Sequence, residues 1–255
     1  MSTSSRIVLV TGGSRGLGRN AALHLARRGF DLVVTYRSNE AEAHAVCQEI
    51  AALGRTAVAL RLDVADSAGF AAFAEQVGGL VATRFGADAR LHGLVNNAGV
   101  GTYAPFAQTS AAQLDEMFAV HVKGPFLLTQ ALLPLLADGG RIVNVSSGLA
   151  RFSMAGFSAY AMMKGALEVM TRYLAVELGA RRISVNTLAP GAIETDFGGG
   201  MVRDDAAVNA MIAGQTPLGR AGLPDDIGGA IALLLDDASG WINGQRIEAS
   251  GGMFL

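Results

Sequence analysis

The chain is 255 residues long, 51% hydrophobic and 16% charged, with 20 basic residues against 22 acidic for a formal charge of −2. That length can bury a sizeable core, and a balanced charge without a basic stripe or an acidic tail excludes nucleic acid and strongly charged partners from the expectation. A lone cysteine, Cys47, excludes an intrachain disulfide and predicts a reduced, cytoplasmic setting; the short run Ile7–Val10 is no signal sequence, no stretch is expected to span a membrane, and no metal site is expected.

Ile7–Thr11 is a β-branched apolar run ending in Gly12-Gly13-Ser14-Arg15-Gly16-Leu17-Gly18, after which Asn20–Arg28 has helical spacing. Strand, glycine turn and helix in that order suit a pyrophosphate, because glycines admit it to the backbone N–H groups at a helix amino terminus. The spacing is Gly-x-x-x-Gly-x-Gly, which differs from the commoner Gly-x-Gly-x-x-Gly fingerprint. Asp31–Tyr36 reads as the second strand and Asn39–Leu53 as the second helix. No acid follows that strand until Glu40, whereas Arg37 follows it directly and Arg15 lies in the turn. Two arginines converging on a 2′-phosphate predict NADP(H), with NAD(H) as the alternative; a merely solvated Arg37 is the plainer reading.

Thr56–Leu62 is the third strand, and Asp63 at its end can accept from an adenine amino group or cap the next helix, a job for which Asp66 and Ser67 are better placed. Phe70–Phe85 is an amphipathic helix with an expected irregularity at Gly78-Gly79. The fourth strand, Leu91–Val95, runs into Asn96-Asn97-Ala98-Gly99, which lets an adenine ring pack closely or simply makes a turn. Leu114–Leu136 is a long helix with a predicted bend at Gly124-Pro125.

Arg141–Ser147 is the fifth strand, and Ala155–Leu178 is a helix carrying Tyr160 and, four residues on, Lys164. Positions i and i+4 share a helix face, so an ammonium stands beside a phenol. At ~5 Å and an effective dielectric of ~20 that charge is worth about 3 kcal/mol, most of what brings a phenol from a pKa near ~10 toward neutrality. Ile183–Leu188 is the sixth strand, closing with Pro190-Gly191-Ala192-Ile193-Glu194-Thr195, whose backbone and Thr195 hydroxyl can hold a carboxamide. Asp196–Thr216, with Gly198-Gly199-Gly200, reads as a mobile flap or a surface loop. Pro224–Leu235 is a helix and Gln245–Ala249 a last strand.

Alternating helices and apolar strands predict an α/β chain: one doubly wound Rossmann domain, 1–255, with a seven-stranded, mainly parallel sheet covered by helices on both faces. The polar motifs fall at strand carboxyl ends, where such sheets bind ligands.

Taken together, Thr11-Gly-x-x-x-Gly-x-Gly18, Asn96-Asn97-Ala98-Gly99, Ser147, Tyr160-x-x-x-Lys164 and Pro190-Gly191-x-Ile193-x-Thr195 resemble the short-chain dehydrogenase/reductase family, in its branch of roughly 250 residues, from about Arg6 to Leu255. The resemblance implies hydride transfer between a nicotinamide and a ketone or secondary alcohol. It implies Tyr160 as acid/base, Ser147 on the substrate oxygen and Lys164 lowering the tyrosine pKa while holding the nicotinamide ribose. The cofactor would be held by Gly12, Ser14, Arg15, Gly16, Leu17, Gly18, Arg37, Asp63, Val64, Asn97, Ala98, Gly99, Tyr160, Lys164, Pro190, Gly191, Ile193 and Thr195. Leu149, Phe152, Met154, Phe157 and Phe197 are candidate walls of an apolar substrate pocket, each equally a candidate for the core.

Where the family commonly has an asparagine in the central helix, this chain has His121. A histidine there is expected either to keep a proton-relaying water, titrating near pH ~6.5 in the rate profile, or to serve only packing. The ending Trp241–Gly252 is similar to that of tetrameric members, with Ser250 where aspartate is frequent, and implies a homotetramer. Similarity to 3-oxoacyl-carrier-protein reductases runs along the whole chain. An epimerase or dehydratase on the same fold and a non-catalytic NADP sensor are the alternatives.

Overall fold

In the computed structural model, which describes residues 6–255, strand β1 (Ile7–Val10) shows how the sheet is covered. Ile7 and Leu9 face one hydrophobic cluster and Val8 and Val10 the other, all fully buried. A strand alternates its side chains, so a continuous apolar run means protein on both sides.

The chain continues through α1 (Gly16–Arg27), β2 (Asp31–Tyr36), α2 (Glu40–Ala52), β3 (Ala57–Arg61), α3 (Phe70–Phe85) and β4 (Leu91–Asn96). It goes on through α4 (Ala111–Phe118), α5 (Gly124–Leu132), β5 (Leu136–Val145), α6 (Ser158–Glu177) and β6 (Ser184–Pro190). The short α7 (Met201–Asp204), α8 (Ala206–Gly214), α9 (Pro224–Leu234) and β7 (Arg246–Ala249) complete it. The seven strands lie in the order β3-β2-β1-β4-β5-β6-β7, and every pairing is parallel. One core packs Leu25 of α1, Ile50 of α2 and Ile231 of α9 on the sheet; the other packs Phe73 of α3, Leu132 of α5 and Ala175 of α6. Strand order reverses between β1 and β4, which opens a crevice beyond their carboxyl ends.

Three expectations change. The break in the central helix falls at Ala119–Lys123, a π turn upstream of the anticipated Gly124-Pro125 bend. Pro125 has no N–H for the His121 carbonyl, so the defect appears in the turn before it. Gly124 meanwhile lets α5 approach the Val64 carbonyl, where a β-carbon would sit 2.2 Å from the oxygen. Helix α3 runs unbroken through Gly78-Gly79, with Gly78 packed on Leu135. Finally, Ala111–Leu135 does reach the length and mean hydropathy of a membrane span; its Leu128 and Leu132 lie in the core, which accounts for much of that apolar character.

A buried polar row crosses the face beneath α5 and α6. The Asn96 amide donates to Thr129 Oγ1 (3.0 Å) and Asn144 Oδ1 (2.8 Å), the Asn144 amide to Thr171 Oγ1 (2.8 Å), and Thr171 lies 2.8 Å from Thr187.

Candidate active site

Strand β5 ends at Val145, and Ser147 follows in extended conformation, its Oγ accepting from the Leu149 N–H at 3.2 Å. Tyr160 and Lys164 stand one turn apart on α6, 7% and 4% exposed. Ser147 stands near enough to the Tyr160 phenol to lower its pKa, so serine and tyrosine meet although thirteen residues separate them in the chain. Lys164 Nζ donates to the Val145 carbonyl at 2.8 Å and lies 5.5 Å from the centre of the Tyr160 ring.

Burial dominates the electrostatics. It raises the Tyr160 pKa above that of an ordinary phenol, and the neighbouring Ser147 side chain only partly opposes it. The same desolvation pulls Lys164 down to about 7. The expected depression of Tyr160 by Lys164 is not the dominant effect: burial drives both groups toward their neutral forms.

His121, 1% exposed in the π turn, is also corrected. Its Nε2 stands 2.8 Å from the Val100 carbonyl, an acceptor only, so Nε2 carries the hydrogen. Burial first, and the Lys164 charge second, bring its pKa to about 3, which removes the titration anticipated near neutrality. Nδ1 is buried without a partner.

The glycine turn forms a cradle at the amino end of α1. Gly12 and Gly16 have positive φ, +64° and +53°, a conformation that suits glycine. At Gly18 a β-carbon would fall 2.2 Å from the Gly12 carbonyl. No side chain caps α1 and its first turn carries no acid, so an anion fits there. Ser14 is half-buried in the turn and Leu17 packs on the first core.

Asn97 turns its amide on the Thr11 (2.8 Å) and Gly12 (3.2 Å) carbonyls, bracing the cradle from β4 beside Ala98 and Gly99. Thr11, which the sequence marked as the start of the glycine motif without giving it a role, accepts from the Asn97 and Ala98 N–H groups at 2.9 and 3.0 Å. A hydroxyl at a strand end before a glycine turn was the available signal.

Arg37 is exposed after β2, and its carbonyl accepts from Arg61 Nε at 3.3 Å. Arg15 lies 3.7 Å from Asp196, which also pairs with Arg203 in the 196–216 segment. Asp63 is exposed and accepts locally from the Ala65 N–H at 3.0 Å, while Asp66 caps the following turn; a hollow of about 400 Å³ opens beside Asp63. Val64 contacts Gly124 as described.

On the far side, Pro190 ends β6, the Gly191 N–H donates to Ala249 (3.1 Å), Ile193 bridges to Gly222, and Thr195 Oγ1 accepts from the Phe197 N–H (3.2 Å). Phe197 stacks at a tilt on Tyr160, ring centres 5.7 Å apart, and covers Gly101. Phe157 meets Tyr103 edge to face at 5.4 Å, and Tyr103 lies over Gly156; Tyr103 is a second residue the sequence reading missed. Leu149 packs on the cluster of Tyr160, Met163 and Met117, and Met154 is half-buried in the same loop. Phe152 departs from the anticipated pocket wall: it packs with Ile212 and Met253, its ring 4.8 Å from Phe254.

Comparison with known proteins bears on this arrangement. A family model described as "Enoyl-(Acyl carrier protein) reductase" matches residues 12–254. An uncharacterized oxidoreductase of Methylorubrum extorquens is 38% identical, the match covering 97% of each chain. The promiscuous reductase LugOII, which catalyses keto-reduction at C1 during lugdunomycin biosynthesis, superposes with TM-score 0.93 at 36% identity over 100% of both chains. The landomycin C-6 ketoreductase LanV, solved with NADP and rabelomycin, gives 0.88 at 33% identity, covering 98% of this chain and 96% of LanV.

Proposed function

Because the chain belongs to the short-chain dehydrogenase/reductase family, we propose that it is an NADP(H)-dependent reductase that interconverts a ketone and a secondary alcohol at Ser147, Tyr160 and Lys164. The carrying observation is the buried, protonated Tyr160 phenol beside Ser147, one helical turn from Lys164. An acid poised to give up a proton must first hold it, and burial keeps the phenol protonated at neutral pH. A protonated phenol suits the reducing direction.

When bound, the cofactor supplies the hydride. The Ser147 hydroxyl and the Tyr160 phenol both donate to the substrate oxygen, and Tyr160 releases its proton as negative charge develops there. Lys164, tethered to Val145, offers its other hydrogens to the nicotinamide ribose and stabilises the phenolate left behind. Backbone N–H groups of the 12–18 turn receive the pyrophosphate, Arg37 and Arg15 the 2′-phosphate, Asp63 and Val64 the adenine, and Gly191 to Thr195 the carboxamide. The Arg15 to Asp196 pair is solvent-exposed, so a phosphate displaces it at little cost.

Phe157, Phe197, Leu149, Met154 and Tyr103 make the mouth apolar and aromatic, which supports a bulky cyclic ketone more than a thin 3-oxoacyl chain, with residues 196–216 as its flap. Exposed Phe118, Phe126, Tyr173 and Val176 on the outer helices, and a fully exposed Trp241, support a homotetramer that covers them. A cytoplasmic setting belongs to the same reading, supported by the lone Cys47, whose thiol pKa burial pushes up to about 11.

The test follows NADPH absorbance with a panel holding a polycyclic aromatic ketone, an acetoacetyl thioester and an enoyl thioester. Ketone-dependent oxidation that Tyr160→Phe abolishes is expected. Tight NADPH binding without turnover of any ketone overturns the proposal in favour of a sensor, and turnover of the enoyl thioester alone in favour of double-bond reduction.

A further inference from the structure

Ser147 is gripped from behind by a row of alternating charges. Arg246, on β7, donates through Nε to Glu168 Oε1 on α6 at 2.8 Å, through Nη1 to Glu248 Oε2 at 2.8 Å, and through Nη2 to the Ser147 carbonyl at 3.4 Å. Glu168 Oε1 also accepts from the Ser146 hydroxyl at 2.8 Å. At the other end Glu248 receives Arg151 on both oxygens, each at 2.7 Å, and Ser250 Oγ at 2.7 Å. Arg151 spends its remaining reach on the carbonyls of Met253 (2.8 Å) and Phe254 (3.1 Å). The row therefore begins on the Ser146 hydroxyl and the Ser147 carbonyl and ends on the last residues of the chain.

Stability is a poor reason for such an arrangement. The side chains are largely enclosed, from 13% exposed at Glu168 to 37% at Arg151, and charges removed from water repay little of their desolvation in net folding energy. What the row supplies, and apolar packing does not, is direction: a planar guanidinium fixes the angles of everything it bonds. Release of the Ser147 carbonyl would let the backbone at Ser147 turn and carry its hydroxyl away from Tyr160, and a displacement of ~1 Å can cost up to 10²-fold in rate.

We propose that Arg246 and Glu168 are positioning residues for Ser147, and that Glu248 and Arg151 extend this grip to the C-terminal residues Met253 and Phe254. The assignment rests on the reductase reading above and gives the end of the chain a part in the chemistry.

Steady-state kinetics with NADPH and a ketone turned over by the wild type test it, using Arg246→Met, Arg246→Lys and Glu248→Gln. Arg246→Met is expected to lower kcat about tenfold while the Kd for NADPH stays within about twofold. Its alkaline limb moves to higher pH, because a displaced Ser147 no longer holds the Tyr160 pKa down. Arg246→Lys recovers part of the loss, since one ammonium meets Glu168 but cannot also fork to Glu248 and the Ser147 carbonyl. Should Arg246→Met fail to fold, Glu248→Gln carries the test, with an expected loss of about threefold in kcat alone. An unchanged kcat in either folded variant, or parallel losses in kcat, NADPH affinity and Tm with no movement of the limb, overturns the positioning. A wild type that binds NADPH yet reduces no ketone overturns the reductase reading itself, and this inference with it.

Discussion

The rings of His121 and Tyr160 meet edge to face, centres 5.2 Å apart and planes at 90°. A π turn carries the histidine there, and its Nε2–H is spent on the Val100 carbonyl, so the ring serves as a neutral wall behind the phenol.

With its pKa at about 3, His121 contributes no limb to the rate profile across the working range. His121→Asn is expected to leave the positions of both pH limbs unchanged. His121→Phe keeps the ring and strands the Val100 carbonyl, which costs about 1–3 kcal/mol in denaturant unfolding. A limb near pH 6 to 7 that disappears in His121→Asn would contradict the neutral wall.

Lys164 makes the stability of the cofactor-free chain depend on pH. Its folded pKa of about 7 lies below the ordinary 10.5, so between those values the unfolded chain binds more protons. Stability therefore rises with pH from about 7 toward 10.5, and below 7 the full cost of a buried charge remains. Urea midpoints measured across that window should climb in the wild type and climb less in Lys164→Met.

Arg37 gives the cofactor preference a direct check. Loss of a charge-assisted phosphate bond is worth about 1.5–3 kcal/mol, so Arg37→Ala should raise the KM for NADPH by about 10- to 100-fold and leave that for NADH nearly unchanged. Equal losses with both cofactors would remove Arg37 from the 2′-phosphate.

Gly124→Ala sets a β-carbon 2.2 Å from the Val64 carbonyl, a backbone atom that cannot step aside. The seating of α5 depends on that contact, and so does the adenine side of the proposed cofactor site. A loss of about 1–3 kcal/mol is expected, together with weaker NADPH binding. Wild-type stability in Gly124→Ala would show that the helix can back away freely.

Features set by local period and punctuation were legible in the sequence: the glycine turn, the apolar strands, the alternation that implies a doubly covered sheet, and the one-turn spacing of Tyr160 and Lys164. Features created by distant parts of the chain were hidden. Tyr103 becomes part of the mouth only because Gly156 leaves room beneath it, and Arg246 reaches Glu168 across 78 residues. The π turn was misplaced by one turn because a proline disturbs the carbonyl four residues before it. The electrostatics of Tyr160 and His121 were misjudged for a related reason. Pairwise spacing shows the charge next door, while desolvation is imposed by every neighbour that excludes water.

The polar row under the cleft has a consequence for proton traffic. The Thr171 hydroxyl hydrogen is committed to the Leu167 carbonyl at 3.0 Å, so Thr171 accepts from Asn144 on one side and from Thr187 on the other. Asn96 gives both its amide hydrogens, to Thr129 and to Asn144. The directions at Asn144, Thr171 and Thr187 are thus assigned, while Asn96 Oδ1 is buried without a partner. The row therefore ties β4, β5 and β6 to the helices above them through bonds of fixed direction, and Thr171, with its hydrogen and both acceptor positions committed, cannot hand a proton along it.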